Sequence, residues 1–353
     1  MITGPADPAR PVEPPPRAGT PSLRARRIAL VLTLVALLVL ASLASLAVGA
    51  KPIPLDEVWT AIWSPTGVEN DIVVRALRAP RTVLGIGVGV ALGVVGALMQ
   101  GHTRNPLAEP GILGVNAGAA FLVVLGIYAF GVTSLFGYVW FAFAGAFAAS
   151  VLVFVLGSLG RGGPTPVTLA LAGVAVTYLL SAFTSALVLA DTATLDAYRF
   201  WAVGSLAGRD AAIAVQIAPF LVAGLLLAAA NAPALNLLTL GEDVAKGLGH
   251  NVRLARGTGL AAITLLSGAA VAACGPIGFV GLVVPHVARH FTGPDHRWLL
   301  PASGLAGAVL LLTADVLGRV VVRPGELQVG IVLALVGAPF FIALVRRRKL
   351  VQL

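Results

Sequence analysis

The stretch Gly257–Ala288, GTGLAAITLLSGAAVAACGPIGFVGLVVPHVA, contains no Asp, Glu, Lys or Arg. A helix needs about 20 apolar residues to cross the hydrocarbon of a bilayer. This run is too long for one crossing and short for two. Gly275-Pro276 offers a break, because this pair favours a turn. Splitting there gives two spans, Gly257 to Cys274 and Gly275 to Phe291. The choice between one span and two decides on which side of a membrane every later segment lies.

Other apolar runs flank it, free of Asp, Glu, Lys and Arg except for Asp315 in Trp298–Leu317. They are Ile28–Ala50, Thr82–Gln100, two within Pro110–Gly160 broken near Gly131–Tyr138, Val167–Ala190, Ala211–Ala230, Trp298–Leu317 and Leu327–Val345. With the split the total is ten. An even number puts the basic C-terminus, Arg346 to Lys349, on the same side as Arg24, Arg26 and Arg27. Sixteen of the 24 basic residues then lie inside and eight outside, in line with the positive-inside rule. Nine spans would break that rule. The first run could also be a secretory signal. Its apolar region is longer than the about 7–15 residues of such signals, and further spans follow.

Composition agrees. The chain is 58% hydrophobic and 11% charged, with a mean hydropathy of +0.94; soluble domains carry about a quarter charged residues. The fold class is therefore all-α, polytopic, with about ten transmembrane helices. A net charge of +9 could suit nucleic acid, but the placement of the basic residues fits topology, so the partner is membrane lipid. Residues 1–22 are Pro-rich, with Pro14, Pro15 and Pro16 in a row, and read as a disordered cytoplasmic tail. Residues 23–353 form one transmembrane domain. Cys274 alone builds neither a disulfide framework nor a multi-cysteine metal site. Gly85, Gly87, Gly89, Gly93 and Gly96 along the second span allow helices to pack closely.

A polar island, Asn231–Arg256, interrupts the apolar pattern on the inside. Leu240, Val244 and Leu248 recur in it at a helical spacing, flanked by Ala245 and Gly249. An amphipathic helix between two spans suits a docking surface; an ordinary solvated loop is the other reading. No G-x-x-x-x-G-K-[ST] phosphate loop occurs, so this chain has no such route to ATP hydrolysis, and no catalytic residue is assigned. Span interiors lack the ionisable groups of a self-powered carrier; Asp315 and Arg319 lie near an outer helix end. His286 and His290 are four apart, but no glutamate lies between them and no third ligand lies nearby. They read as residues at a helix end, and no metal site is assigned.

Outside, Arg75, Arg78 and Arg81, with Arg199, Arg209, Arg319 and Arg323, make a basic face. An acidic partner would explain it through complementary charge; lipid headgroups, or pairing with Asp71, Asp191 and Asp196, would also do so.

The segments Arg78–Ala119, RAPRTVLGIGVGVALGVVGALMQGHTRNPLAEPGILGVNAGA, Leu240–Gly249, LGEDVAKGLG, and Gly275–Ala308, GPIGFVGLVVPHVARHFTGPDHRWLLPASGLAGA, together resemble the FecCD-type permeases. These are membrane subunits of ABC importers for ferric siderophores, haem and vitamin B12. The resemblance implies the type II, vitamin-B12-permease-like ABC importer fold, with ten helices per subunit and a second permease subunit, identical or related. It implies a cytoplasmic ATPase dimer, which uses ATP and magnesium while this chain binds no cofactor. That dimer docks on the coupling loop 231–256, at Gly241, Glu242, Ala245, Leu248 and Gly249. It further implies an extracytoplasmic substrate-binding protein on Arg78, Arg81, Arg319 and Arg323. A cytoplasmic gate between the fourth and fifth helices falls at Thr165 and Pro166. Asn116, Thr177, Ser181 and Ser185 are polar handles for the pathway. A ferric siderophore is the expected cargo, with haem and cobalamin as alternatives, across a cytoplasmic membrane with both termini inside.

Overall fold

The computed structural model describes residues 23–132, 134–159 and 165–346. The Pro-rich tail over 1–22, Arg161, and Arg347 to Lys349 lie outside the described residues. Among the described residues there are thirteen helices and no strand. They are α1 (Leu23–Ala47), α2 (Leu55–Trp63), α3 (Glu69–Thr103), α4 (Val115–Phe130), α5 (Leu135–Ser158), α6 (Pro166–Ala190) and α7 (Thr192–Ala202). The others are α8 (Ala211–Leu238), α9 (Glu242–Gly247), α10 (Val252–Cys274), α11 (Val280–Thr292), α12 (His296–Val321) and α13 (Val329–Arg346). Helices α1, α3, α5, α6, α8, α10 and α12 are long and apolar enough to cross a membrane; α4 and α13 are shorter apolar helices. With α11 they account for the ten anticipated segments. The chain is a multi-pass membrane protein.

Helix starts follow local chemistry. Ser134, Thr165, Asp191, Asp210, Asn251 and Asp295 each accept a backbone N–H of the first turn, supplying acceptors that the helix itself lacks.

Three features differ from the sequence reading. First, α3 begins at Glu69, so Arg75, Arg78 and Arg81 lie on the helix and not before it. A π turn over Val73–Arg78 precedes Pro80. The proline then falls at the start of the following α segment, where its missing N–H costs little. Second, the eighth segment is not helical from Gly275. Helix α10 ends at Cys274, Gly275 has φ 76°, Phe279 has φ 67°, and α11 begins only at Val280. Its thirteen residues rise about 20 Å, less than the roughly 30 Å of hydrocarbon. The intervening turn is held by protein. Ser205 N–H donates to Cys274 O at 2.8 Å, and Phe279 N–H donates to the Glu109 carboxylate at 2.9 Å. Irregular backbone within a membrane domain persists where its polar groups are met this way. Third, α2 and α7 are additional short helices. Helix α2 exposes Trp59 and Trp63, whose rings stand 5.8 Å apart, as suits a membrane–water interface.

Helix α3 is the centre of the bundle and the most enclosed of the long spans. A Cβ on Gly93 would lie 2.0 Å from Ser303 O of α12, and one on Gly96 2.1 Å from Gly281 O of α11. These contacts are backbone to backbone, the close approach that small residues allow where lipid supplies no hydrophobic drive.

Candidate functional site

Two ends of the bundle and one face carry the anticipated site residues. At one end, here the α9 end, the island Asn231–Arg256 is mostly helix and not loop. Helix α8 has 28 residues, about 42 Å, so it outruns the hydrocarbon and continues to Leu238. Helix α10 already begins at Val252. Only Thr239 to Asn251 connect them, and α9 lies within that connection. Ala245 is buried against Leu238, Val252 and Ala255. It anchors α9, which corrects its assignment as a contact residue. The ridge that faces outward is Leu240, Val244 and Leu248, with 63%, 49% and 59% of their surfaces exposed.

Glycines shape both ends of α9. Gly241 (φ 113°) precedes Glu242, the first residue of the helix, and Gly249 (φ 80°) follows its end. Gly249 N–H donates to Lys246 O at 2.9 Å and His250 N–H to Ala245 O at 3.0 Å. This is the glycine-terminated Schellman arrangement. A Cβ on either glycine would meet nothing within 4 Å, so both present open surface.

A polar network braces α9 from beneath. Asn231 donates to Ala255 O at 2.6 Å and to Thr258 Oγ1 at 2.7 Å, and its Oδ1 lies 3.0 Å from His102 Nε2 of α3. Arg104 donates to Leu238 O at 2.6 Å. Asn236 donates to Asp295 at 2.7 Å and accepts from His296 N–H at 2.8 Å. Partial burial opposes ionisation of Asp295. Hydrogen bonds from Asn236 and Arg297 N–H, with the charges of Arg27 and Arg297, still hold its pKa below the usual value. The end of α3, the island and the α11–α12 turn are thus joined through side chains. Sequence reasoning missed this network. Its one signal was Asn231 and Asn236 within an otherwise apolar helix end.

At the far end the arginines are engaged internally. Arg78 is buried and donates to Leu46 O at 2.7 Å, to Ala47 O at 2.8 Å and to Lys51 O. It thereby satisfies the end of α1, where a cation also meets the negative pole of the helix. Arg81 grips Asp315 (Nη2 to Oδ1, 2.7 Å) and Glu326 (2.8 Å). Arg319 pairs with Asp315 at 3.0 Å and donates to Ser45 O at 2.9 Å. Of the acidic partners suggested from sequence, Asp71 and Asp191 are used elsewhere and Asp196 pairs with an arginine of the basic face, Arg199. Asp71 accepts from Thr66 and Gly67 N–H, and Asp191 from Thr194. Arg78, Arg81 and Arg319 therefore bolt α1, α3 and α12 together, and only Arg323 of the four assigned docking residues is exposed. The engaged arginines also line a cavity of about 780 Å³, with Lys51, Arg75 and Arg209. Arg209 is buried, which lowers its pKa, and its side chain donates to Ser205 O at 3.3 Å.

Among the pathway candidates, Thr177, Ser181 and Ser185 recur every four residues on one face of α6, and Asn116 lies on α4. Ser181 and Ser185 of α6 line a small pocket of about 140 Å³ with Ala120, Thr184 and Tyr198. Asn116 and Thr177 lie nearer the Pro110–Leu113 turn, beside Gly111 and Gly114. Most of α6 is exposed within the subunit. Thr165 has a structural part: it forms a capping box with Thr168 at the start of α6, and Pro166 is the first helical residue. The residues just before it, 160–164, lie outside the described residues. His286 stacks edge-on toward Phe340 and His290 toward Phe291.

The FecCD transport family model matches residues 37–347. The chain belongs to the FecCD transport family. It is 48% identical over 316 residues to the ferric enterobactin transport system permease protein FepD of Escherichia coli (strain K12), covering 89% of this chain and 94% of that one. It is 38% identical over 326 residues to the hemin transport system permease protein HmuU of Yersinia pestis, covering 90% and 95%. A solved structure of an inward-facing metal-chelate type ABC transporter aligns with a TM-score of 0.80 at 31% identity, over 91% of this chain and 99% of that one. The FecCD match takes in both ends of the bundle, the α9 surface and the arginine bolt alike.

Proposed function

We propose that this FecCD chain is the permease subunit of an ABC importer carrying a ferric siderophore across the cytoplasmic membrane. The observation that carries the reading is the open apolar ridge Leu240–Val244–Leu248 on a helix braced into the bundle. Such a ridge suits an apolar pocket on a partner, and the brace suits transmission of that partner's motion into α3, α8 and α12. The partner is a cytoplasmic ATPase dimer, which places the α9 end and both termini in the cytoplasm. Glu242, Leu248, Gly241 and Gly249 lie at its contact. The far-end cavity receives an acidic substrate-binding protein, with Arg323 and Arg75 at the exposed positions. A second permease subunit packs with this one, and the α6 face of Thr177, Ser181 and Ser185, with Asn116 of α4, lines the route between them, gated near Thr165 and Pro166. The relative named for ferric enterobactin supports the siderophore.

ATP binding closes the ATPase pair, and the pathway changes which side it faces only insofar as the partners bind the two states with different affinity. The test is reconstitution of this chain with its ATPase and binding protein in vesicles. ATP-dependent uptake of ferric siderophore, exceeding that of haem and of cobalamin, is the expected result. Uptake of haem or cobalamin alone would reassign the cargo, and uptake without the ATPase would overturn the reading.

A further inference from the structure

Between α3, α8 and α12 an open groove of about 700 Å³ runs along the bundle. Val94, Leu225, Ala229, Leu300 and Leu305 form its walls, and His296 and Arg297 lie at one end. That end is the α9 end, because His296 N–H and Asp295 both bond Asn236 of the island. From Arg297 to Leu305 the helix rises about 12 Å, comparable to one leaflet of a hydrocarbon core roughly 30 Å thick.

The groove is apolar along its length and cationic at its mouth. Arg297 is exposed, and its guanidinium makes no ion pair or hydrogen bond among the described residues. The neighbouring Arg27 is held otherwise: it donates to Thr292 O at 2.8 Å, lies 3.7 Å from Asp295 and sits over the Trp298 ring. Two cations therefore face a single carboxylate, and one guanidinium is left for an anion. Basic pockets between membrane helices suit anionic headgroups.

We infer that this groove is a binding site for an anionic glycerophospholipid, with one acyl chain along α12 and the phosphate on Arg297. A lipid there would fill the gap beside α8 and α12, the two helices that the Asn236–Asp295–His296 contacts join beneath α9. The site requires only that the protein span a membrane, and is independent of the cargo.

The test uses full-length protein reconstituted in vesicles of equal palmitoyl-oleoyl phosphatidylglycerol and phosphatidylcholine, re-extracted in detergent and weighed by native mass spectrometry. Wild type retains one phosphatidylglycerol per chain. Arg297→Gln loses that preference, and Ala229→Trp, which fills the groove from an exposed position, loses the bound lipid with no fall in Tm. Equal retention by wild type and A229W would overturn the proposal, as would equal retention of phosphatidylcholine by wild type. Dissociation of A229W into single chains would also overturn it, because the groove would then be a subunit interface. Lipid retention is read without transport, so a wrong cargo assignment leaves this result untouched.

Discussion

The α9 surface and the far-end arginines carry docking assignments of the same kind, yet they are built in opposite ways. At α9 the side chains that matter are apolar and exposed, and the polar groups lie beneath them as a brace. At the far end the charged side chains are turned inward, onto Asp315, Glu326 and the carbonyls that end α1. Substitutions on the exposed ridge of α9 should cost coupling without cost to folding. Substitutions in the arginine bolt should cost folding first.

The largest effect is expected at Asp315. It is fully buried between Arg81 and Arg319. Asp315→Ala leaves the buried Arg319 and the partly buried Arg81 without their shared carboxylate, a loss of about 3–5 kcal/mol. Thermal unfolding in detergent checks this; an unchanged Tm would show that the bolt is not structural. Next comes the contrast within α9. Ala245→Leu overpacks the anchor and should lower stability by about 1–3 kcal/mol. Leu248→Glu places a charge on open surface and should leave Tm unchanged while weakening ATPase binding at least about tenfold, or roughly 1.4 kcal/mol. Pull-down with the ATPase beside a melting curve separates the two. If L248E melts early, or A245L only uncouples, the assignment of anchor and ridge is reversed. The smallest effect is expected at Arg323. Arg323→Glu should slow association of the binding protein a few-fold, more at low salt, because rim charges act mainly on encounter. A rate independent of salt would remove the electrostatic part of the docking.

Much of this fold is legible in the sequence. Every anticipated span contains a helix, although the eighth is helical only from Val280, because partition into hydrocarbon is a sum over neighbouring residues. The break at Gly275-Pro276 was legible for the same local reason, but the shortness of α11 was not. It depends on Glu109 and Ser205 reaching the turn from distant segments. In the island, the period of Leu240, Val244 and Leu248 was visible. Which side of α9 faces outward was decided by Ala245 settling against Leu238, Val252 and Ala255. The capping of α6 by Thr165 was legible but not read, since a Thr followed by Pro and then Thr168 is a helix start.

The sequence by itself determined the helical, multi-pass membrane class and the apolar segments that build it, since both follow from hydropathy summed over a few turns. Only the tertiary structure decided what the arginines do. Arg81 and Asp315 are 234 residues apart in the chain and meet because glycines let α3 and α12 touch backbone to backbone. A buried charge takes the partner that packing brings to it, and no local pattern names that partner.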